Sequence, residues 1–297
     1  MNIKIVLVIF WKTAKESIYG KSWKFLFGGL GSFIALLLLG KNFLGTSLQT
    51  SIIIGIGILS FLFIIRFTLL GIRNSVKHLH EYYRESKYGD AIILLKEAFS
   101  KFHWLRKKSE YSDEELMSCL IFLCDKLQVL FSRKNFSDCS VSIKVPIKGN
   151  ITADTPVKNL CRDSSHKAKR DTPNYQAINH TIIGNTAFIK VLNNVLRGSK
   201  KGFHYFNNCI QDTKDYENTS REAHESGMLP YNSEIVVPII PSIPDDNKNY
   251  DLIGFLCVDC ESEHKFDDYY DPALIEGVAD GIYDILSRKI LIDYIHG

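Results

Sequence analysis

Apolar residues in the first seventy positions gather into two long uncharged runs. From Phe25 to Gly40, and again from Asn42 to Ile65, no residue carries a charge, and the second stretch centres on SIIIGIGILSFLFII. A helix needs about 20 residues to cross the hydrocarbon core of a bilayer. The first run reaches that length when Lys21 and Lys24 snorkel to headgroups, and the second when it extends past Arg66 into FTLLG. The pattern therefore predicts two membrane-spanning helices, with glycines 28, 29, 31, 55 and 57 letting their backbones approach closely. The stretch IVLVIFW at 5–11 is too short to span and is followed by Lys12 rather than a small-residue cleavage site. It reads as an interfacial or buried segment.

Beyond residue 71 the periodicities become those of elements with one wet side. Ile72, Val76, Leu79 and Tyr83 recur at near-helical spacing, and AIILLKEAF forms a second run after a break at YGD, where Gly89 stops one helix and Asp90 caps the next. Ser112 followed by Glu115 is a capping box. Behind it Leu116, Leu120, Leu123, Leu127 and Leu130 make one apolar stripe to about Arg133, suited to a sheet or to a second subunit. SVSIKVPIK at 140–148 alternates, with Val141, Ile143, Val145 and Ile147 on one face and Ser140, Ser142 and Lys144 on the other, which predicts a half-exposed strand. A polar region to about Asn185 precedes the helix TAFIKVLNNVL, capped by Asn185, and then an aromatic strand, GFHYFNNCI.

After a second polar loop comes a hairpin, EIVVPII and DLIGFLCVDC, apolar on both faces and so expected at the centre of a covered sheet. Pro238 cannot donate to a ladder and predicts a bulge or an unpaired amide. Asp271 as N-cap, Pro272 in the first turn, and Ile275, Val278, Ile282 and Ile285 on one face predict a closing amphipathic helix. A sheet flanked by amphipathic helices makes the fold class α+β. The expected organisation is a two-helix transmembrane anchor at 1–71, a helical connector at 72–110 and one cytoplasmic domain at 111–297.

Charge fixes an orientation. Lys4, Lys12, Lys15, Lys21 and Lys24 precede the first span, and Arg66, Arg73, Lys77 and Arg84 follow the apolar centre of the second, whereas KNFLGTSLQT holds only Lys41. The positive-inside rule places both termini, and with them the soluble domain, in the cytoplasm beneath a cell membrane. Seven cysteines (119, 124, 139, 161, 209, 257 and 260) without a paired framework or signal peptide fit reduced thiols in that compartment. With 36 basic and 33 acidic residues there is no bulk attraction for nucleic acid, and none is expected as a partner. The local exception runs from Lys144 to Arg170, where Lys144, Lys148, Lys158, Arg162, Lys167, Lys169 and Arg170 face only Asp154 and Asp163.

The hairpin, Phe266 and LIEGVADGIYDIL together resemble the C-terminal half of GAF domains, small-molecule sensor modules, and the resemblance covers roughly residues 113–290. It implies a central antiparallel sheet, terminal helices packed on one side, and a ligand cavity on the other roofed by the intervening loops. Members bind cyclic nucleotides, tetrapyrroles, amino acids and other small effectors, and many serve only as dimerisation or protein-binding modules. Cys260 stands where a small Ser is common, and no pattern here fixes a cyclic-nucleotide or chromophore site, so the cofactor is left unassigned.

In that frame the basic stretch falls on the second strand and the cavity's roofing loop. Arg162 and Arg170, with Arg221 from the second polar loop, are candidates to grip a phosphate or carboxylate. Tyr205 and Tyr231 can stack on a planar group, with Asn232 and Ser233 orienting it. Asp163, beside Arg162, joins the same set and, like Asp259, suits an internal ion pair. CVDC followed by His264 has the look of a metal set. A strand, however, puts residues 257 and 260 on opposite faces, and no second pair at zinc spacing exists, so no metal is expected. No catalytic residue is expected either, because the sequence sets none of His204, His224 or His264 beside a cysteine. Thiol chemistry, used by a few sulfoxide-reducing enzymes of this fold, stays an outsider.

These readings combine into a membrane-anchored sensor. A small anionic or nucleotide-like ligand enters the cavity and changes helix packing, in a homodimer that signals through the anchor or through a separate output protein. The alternative is a non-catalytic dimerisation or protein-interaction module tethered to the lipid bilayer, serving as a membrane effector in defence or stress.

Overall fold

A computed structural model of the chain describes residue 48 onward, except 87, 109, 148–150, 199–201, 225, 242–250 and 297, together with residues 11, 13 and 15. The first expected span, Phe25–Gly40, and the turn of the central hairpin lie outside the described residues. The chain divides into two compact units, Met1–Tyr88 and Gly89–Gly297.

In the first unit the second apolar run forms one helix, α1 (Leu48–Ser86, 39 residues). Within it, Ile56–Leu79 is the one stretch among the described residues long and apolar enough to cross a membrane. Its 24 residues rise about 36 Å, against a hydrocarbon core of about 30 Å. Phe61, Leu62, Phe63, Ile64 and Ile65 are all exposed. Five successive residues at about 100° each go right round the helix, so over 61–65 no polar face is left for water. A two-span hairpin is thus not what the described residues contain: one candidate span is seen. α1 also runs unbroken through residues 71 and 72, which joins the expected anchor to the start of the expected connector.

The second unit opens with α2 (Gly89–Arg106) and α3 (Asp113–Asn135). The capping box at the start of α3 is formed as expected: Ser112 Oγ accepts from the Glu115 amide at 3.2 Å, and Glu115 Oε2 accepts from the Ser112 amide at 3.1 Å. Then follow β1 (Cys139–Pro146), β2 (Val157–Arg162), α4 (Ser164–Arg170), α5 (Pro173–Ala177) and α6 (Thr186–Leu196). β3 (Tyr205–Asn207), two short 3-10 turns (Ile210–Asp212 and Thr219–Ala223), β4 (Ser233–Ile239), β5 (Gly254–Cys260) and α7 (Tyr270–His296) complete it.

The strands form one antiparallel sheet in the order β2-β1-β5-β4-β3, with the apolar hairpin central as its two-sided pattern requires. One face carries Val141, Ile143, Ile235, Val237, Leu256 and Val258, and packs on the α3 leucines and on Ile275, Val278, Ile282 and Ile285 of α7. The other face carries Val236, Phe255 and Cys257 under α6, where Phe188 stacks on Phe255 at 4.6 Å between ring centres. Asn185 caps α6 as expected, its Oδ1 accepting from the Ala187 and Phe188 amides at 2.9 and 3.2 Å.

Two expectations change, and that for Pro238 narrows. β1 is not half-exposed: Ser140 and Ser142 are buried at 0% and 1% exposure, because a second layer covers the polar face. The β4–β5 register runs through Pro238 without a bulge. The β3 pairing stops at Val236, so β4 has a strand neighbour on one side only at the proline. The closing helix starts at Tyr270, where Asp267 Oδ1 accepts from the Tyr269 and Tyr270 amides at 3.0 and 2.9 Å. Asp271 is buried instead and meets Lys134 Nζ at 2.6 Å.

Candidate functional site

Strand alternation that points Val141, Ile143, Ile235 and Val258 at the terminal helices points their neighbours the other way. Ser140, Ser142 and Lys144 of β1, Cys257 and Asp259 of β5, and Glu234 of β4 therefore share the opposite face. Arg162 ends β2 beside this floor, Arg170 and Tyr175 come from α4 and α5, and Asn218, His224 and Tyr231 lie above. These groups enclose a cavity of about 40 Å³. That is room for a few waters, far below the several hundred Å³ usual for small-molecule sites.

Its charges are set out in pairs, with one remainder. Arg162 donates from Nε to Asp171 Oδ1 at 3.0 Å and from Nη1 to Ser140 Oγ at 2.9 Å. Arg170 Nη1 meets Asp259 Oδ1 at 2.5 Å, and its guanidinium lies 5.5 Å from the Tyr231 ring centre. Lys144 Nζ has the rings of Phe188 and Tyr175 at 5.3 and 5.7 Å, and no carboxylate among the described residues lies within 4.0 Å of it. Glu234 pairs with Asp259 across the ladder and accepts from Tyr216 Oη at 2.5 Å. Burial pushes the Glu234 carboxyl up to about 7, and the Asp259 carboxylate adds to the push against the opposing Tyr216 hydrogen bond. Asn218 Nδ2 donates to Tyr231 Oη at 2.8 Å and closes the roof. The Lys144 ammonium loses by desolvation, but Tyr175, which hydrogen-bonds it, and Cys257 more than offset this and hold its pKa up. At neutral pH the pocket thus offers an ammonium with no carboxylate beside it at one end and a carboxyl that exchanges its proton at the other.

Of the residues singled out from sequence, Arg162, Arg170 and Tyr231 come together on this cavity. Asp163 stands just behind it. Its two oxygens accept from the His166 amide, His166 Nδ1, the Val141 amide and Ser140 Oγ at 2.7–3.1 Å, so it caps α4 and braces the serine that Arg162 holds. Tyr205 is on the same face, its hydroxyl accepting from Asn207 Nδ2 at 3.0 Å, but it does not line the cavity. Arg221 is exposed on the second 3-10 turn, 5.8 Å from the Tyr216 ring. Asn232 ties strand ends together, donating to Glu261 O at 2.8 Å. Ser233 is in register with Cys260 and donates to Ser262 O at 2.8 Å, on the helix-packed side. The residues missed are Ser142, Lys144, Tyr175, Asn218 and Glu234. The signal for the first two was already present in the polar alternation of β1, which reads as a solvent face until the strand is known to lie inside a covered sheet.

Cys257 and Cys260 do lie on opposite faces, as the strand reading requires. His264 instead approaches Cys209 and Glu263, the donor atoms lying within 4.8 Å of one another on surface loops. Cys257, the thiol on the pocket face, is pushed up to about 12 by burial and is a poor nucleophile at neutral pH.

No protein-family model matches the sequence, and no curated protein matches it. Among solved structures it is similar to the GAF domain of an Acinetobacter phosphoenolpyruvate-protein phosphotransferase, with 12% identity, 69% of this chain and 96% of that one covered, and a TM-score of 0.40. The corresponding GAF domain from Coxiella burnetii gives 11% identity, 69% and 98% coverage, and 0.40. A type II free methionine-R-sulfoxide reductase from Thermoplasma acidophilum gives 14% identity, 58% and 95% coverage, and 0.38. The GAF-like fold is read from the architecture itself: a five-stranded antiparallel sheet with both terminal helices on one face and a loop-roofed polar pocket on the other.

Proposed function

We propose that this chain is a membrane-anchored cytoplasmic sensor whose GAF-like domain binds a small anionic ligand on the polar face of its sheet. The observation that carries the reading is the ammonium of Lys144, held between two aromatic rings on a covered sheet face with no carboxylate beside it. Placing charge on a covered face costs several kcal/mol unless something compensates it, and strongly perturbed groups gathered in a hollow mark functional sites. The hydrogen bond to Tyr175 offsets the desolvation of Lys144 and keeps it protonated but leaves its charge without a counter-ion, and a ligand anion would supply one. The volume of about 40 Å³ favours an inorganic anion or a small carboxylate; a nucleotide enters only if the roof over 218–231 lifts. Both termini lie in the cytoplasm, the first apolar run pairs with α1 as a membrane hairpin, and the protein acts as a dimer. Signal leaves through helix packing or a separate output protein, without catalysis.

Calorimetry on the full chain in detergent micelles, with inorganic phosphate, small carboxylates and nucleoside monophosphates, tests this. We expect a small anion to bind and Lys144→Met to weaken it at least tenfold, with the fold checked by circular dichroism. No binding by any of these probes, or equal binding by the variant, overturns the reading.

One observation favours the second reading, a non-catalytic interaction module: Arg162 and Arg170 are already engaged by Asp171 and Asp259. In that case the cavity is a closed structural network and partners engage the outer surface.

A further inference from the structure

Apart from the buried pocket, an open trough of about 860 Å³ runs along one side of the sheet. Its floor is residues 158–162 of β2, a terminal strand of the sheet, with Met117 and Ile121 of α3 on one wall and Lys167 and Tyr175 on the other. A terminal strand has no strand neighbour along its outer edge and is a ready template for a further extended chain. Five successive residues, at about 3.3 Å each, give a bed roughly 16 Å long.

Two further observations describe what fits. Asn159 Oδ1 is buried and accepts no hydrogen bond, while Asn159 Nδ2 donates to Asp171 Oδ2 at 2.9 Å. The trough thus contains an acceptor awaiting an N–H donor, which a polar side chain of an incoming segment can provide. The sign of the walls is also set. Asp171, the carboxylate lining the trough, is occupied by Arg162 and Asn159. Lys158 and Lys167 are exposed, and no carboxylate among the described residues lies within 4.0 Å of either. A second copy of β2 would bring its own Lys158 and Arg162 into this cationic setting, whereas Met117 and Ile121 offer apolar contact to alternate side chains of an acidic strand.

We infer that the trough receives an extended, acid-rich peptide segment of a partner protein, which joins the sheet as a strand beside β2. Backbone hydrogen bonding supplies the affinity, Lys158 and Lys167 select acidic side chains, and the apolar wall takes the residues between them. The inference does not depend on the pocket on the sheet face being a ligand site.

The test uses the full chain in micelles and fluorescence anisotropy with a labelled, capped hexapeptide of alternating Glu and Val. Binding is expected, with none for the Lys-Val counterpart. Methylating alternate backbone nitrogens of the Glu-Val peptide should weaken it at least tenfold. The double variant Lys158→Glu, Lys167→Glu should reverse the preference between the two peptides, with an unchanged circular dichroism spectrum. Indifference to backbone methylation, equal binding of the two peptides, or no binding at millimolar peptide overturns the inference. So does a dimer in sedimentation that the glutamate variant tightens, since that result assigns the trough to a second copy.

Discussion

Glu234 and Asp259 face each other across the β4–β5 ladder on the covered side of the sheet, and the consequence is a measurable pH dependence. With its folded value at about 7 against 4.5 for an ordinary glutamate, the Glu234 carboxyl keeps its proton longer in the folded chain than in the unfolded one. Stability therefore falls as pH rises from about 4.5 to about 7 and stays reduced above. Glu234→Gln should remove that decline and raise stability at pH 8, by on the order of 3 kcal/mol at most, read by urea denaturation at pH 5 and pH 8. His166 makes a second contribution. Its hydrogen bond to Asp163 raises its pKa above 6.5 against the opposing effect of burial, so its stabilisation is complete below pH 6.5 and is lost as pH rises through the raised value. In His166→Asn that alkaline loss should vanish, while the Glu234 decline persists. Glu234 was not legible as a titrating group because burial under the covering layer moves it, whereas the partner that moves His166 is local, Asp163 three residues earlier at the cap of its own helix, and was read from sequence only as an ion-pair candidate.

Elements whose chemistry is local could be read almost in full. The Ser112 capping box, the Asn185 cap, the α3 leucine stripe and the apolar α7 face all appear where spacing put them. What spacing could not say is which polar face meets solvent: Ser140, Ser142 and Lys144 alternate like an exposed edge yet floor a pocket, since burial of β1 depends on α4–α6 arriving from later in the chain. Two substitutions probe the packing of these elements. A Cβ on Gly254 would sit 2.8 Å from the Lys144 carbonyl of the adjacent strand, so Gly254→Ala should cost about 1–3 kcal/mol through overpacking. Lys134→Met breaks a buried ion pair between α3 and the first turn of α7, and should cost about 3–5 kcal/mol. Denaturation midpoints, with unchanged slopes, check both.

At the scale of the whole molecule, the α+β domain and its GAF-like character were visible from the hairpin and closing helix, whereas the ligand set was legible only in part. Arg162, Arg170 and Tyr231 converge on the cavity, but Arg221 and Ser233 do not: Arg221 is exposed on a short turn whose direction its sequence position does not fix, and Ser233 opens β4, where alternation turns it to the helix-packed face. Membrane attachment has its own test. The full chain should stay in the pellet after alkaline carbonate extraction, and should be released when both apolar runs are interrupted by exchanging Leu37 and Leu38 together with Leu62 and Ile65 for Arg, since each charge at mid-bilayer costs about 2.5–3.5 kcal/mol by insertion scales.

The unbroken course of α1 from Leu48 to Ser86 has a mechanical corollary. A rod with every turn hydrogen-bonded twists and bends little, so a quarter turn about its long axis at Leu48 arrives at Ser86 as a quarter turn. One alanine inserted after Leu79 re-aims everything downstream in α1 by about 100°, while seven restore the original heading to within about 20°. Output that fails with one and recovers with seven would identify torque, rather than mere proximity to the bilayer, as the quantity this helix transmits.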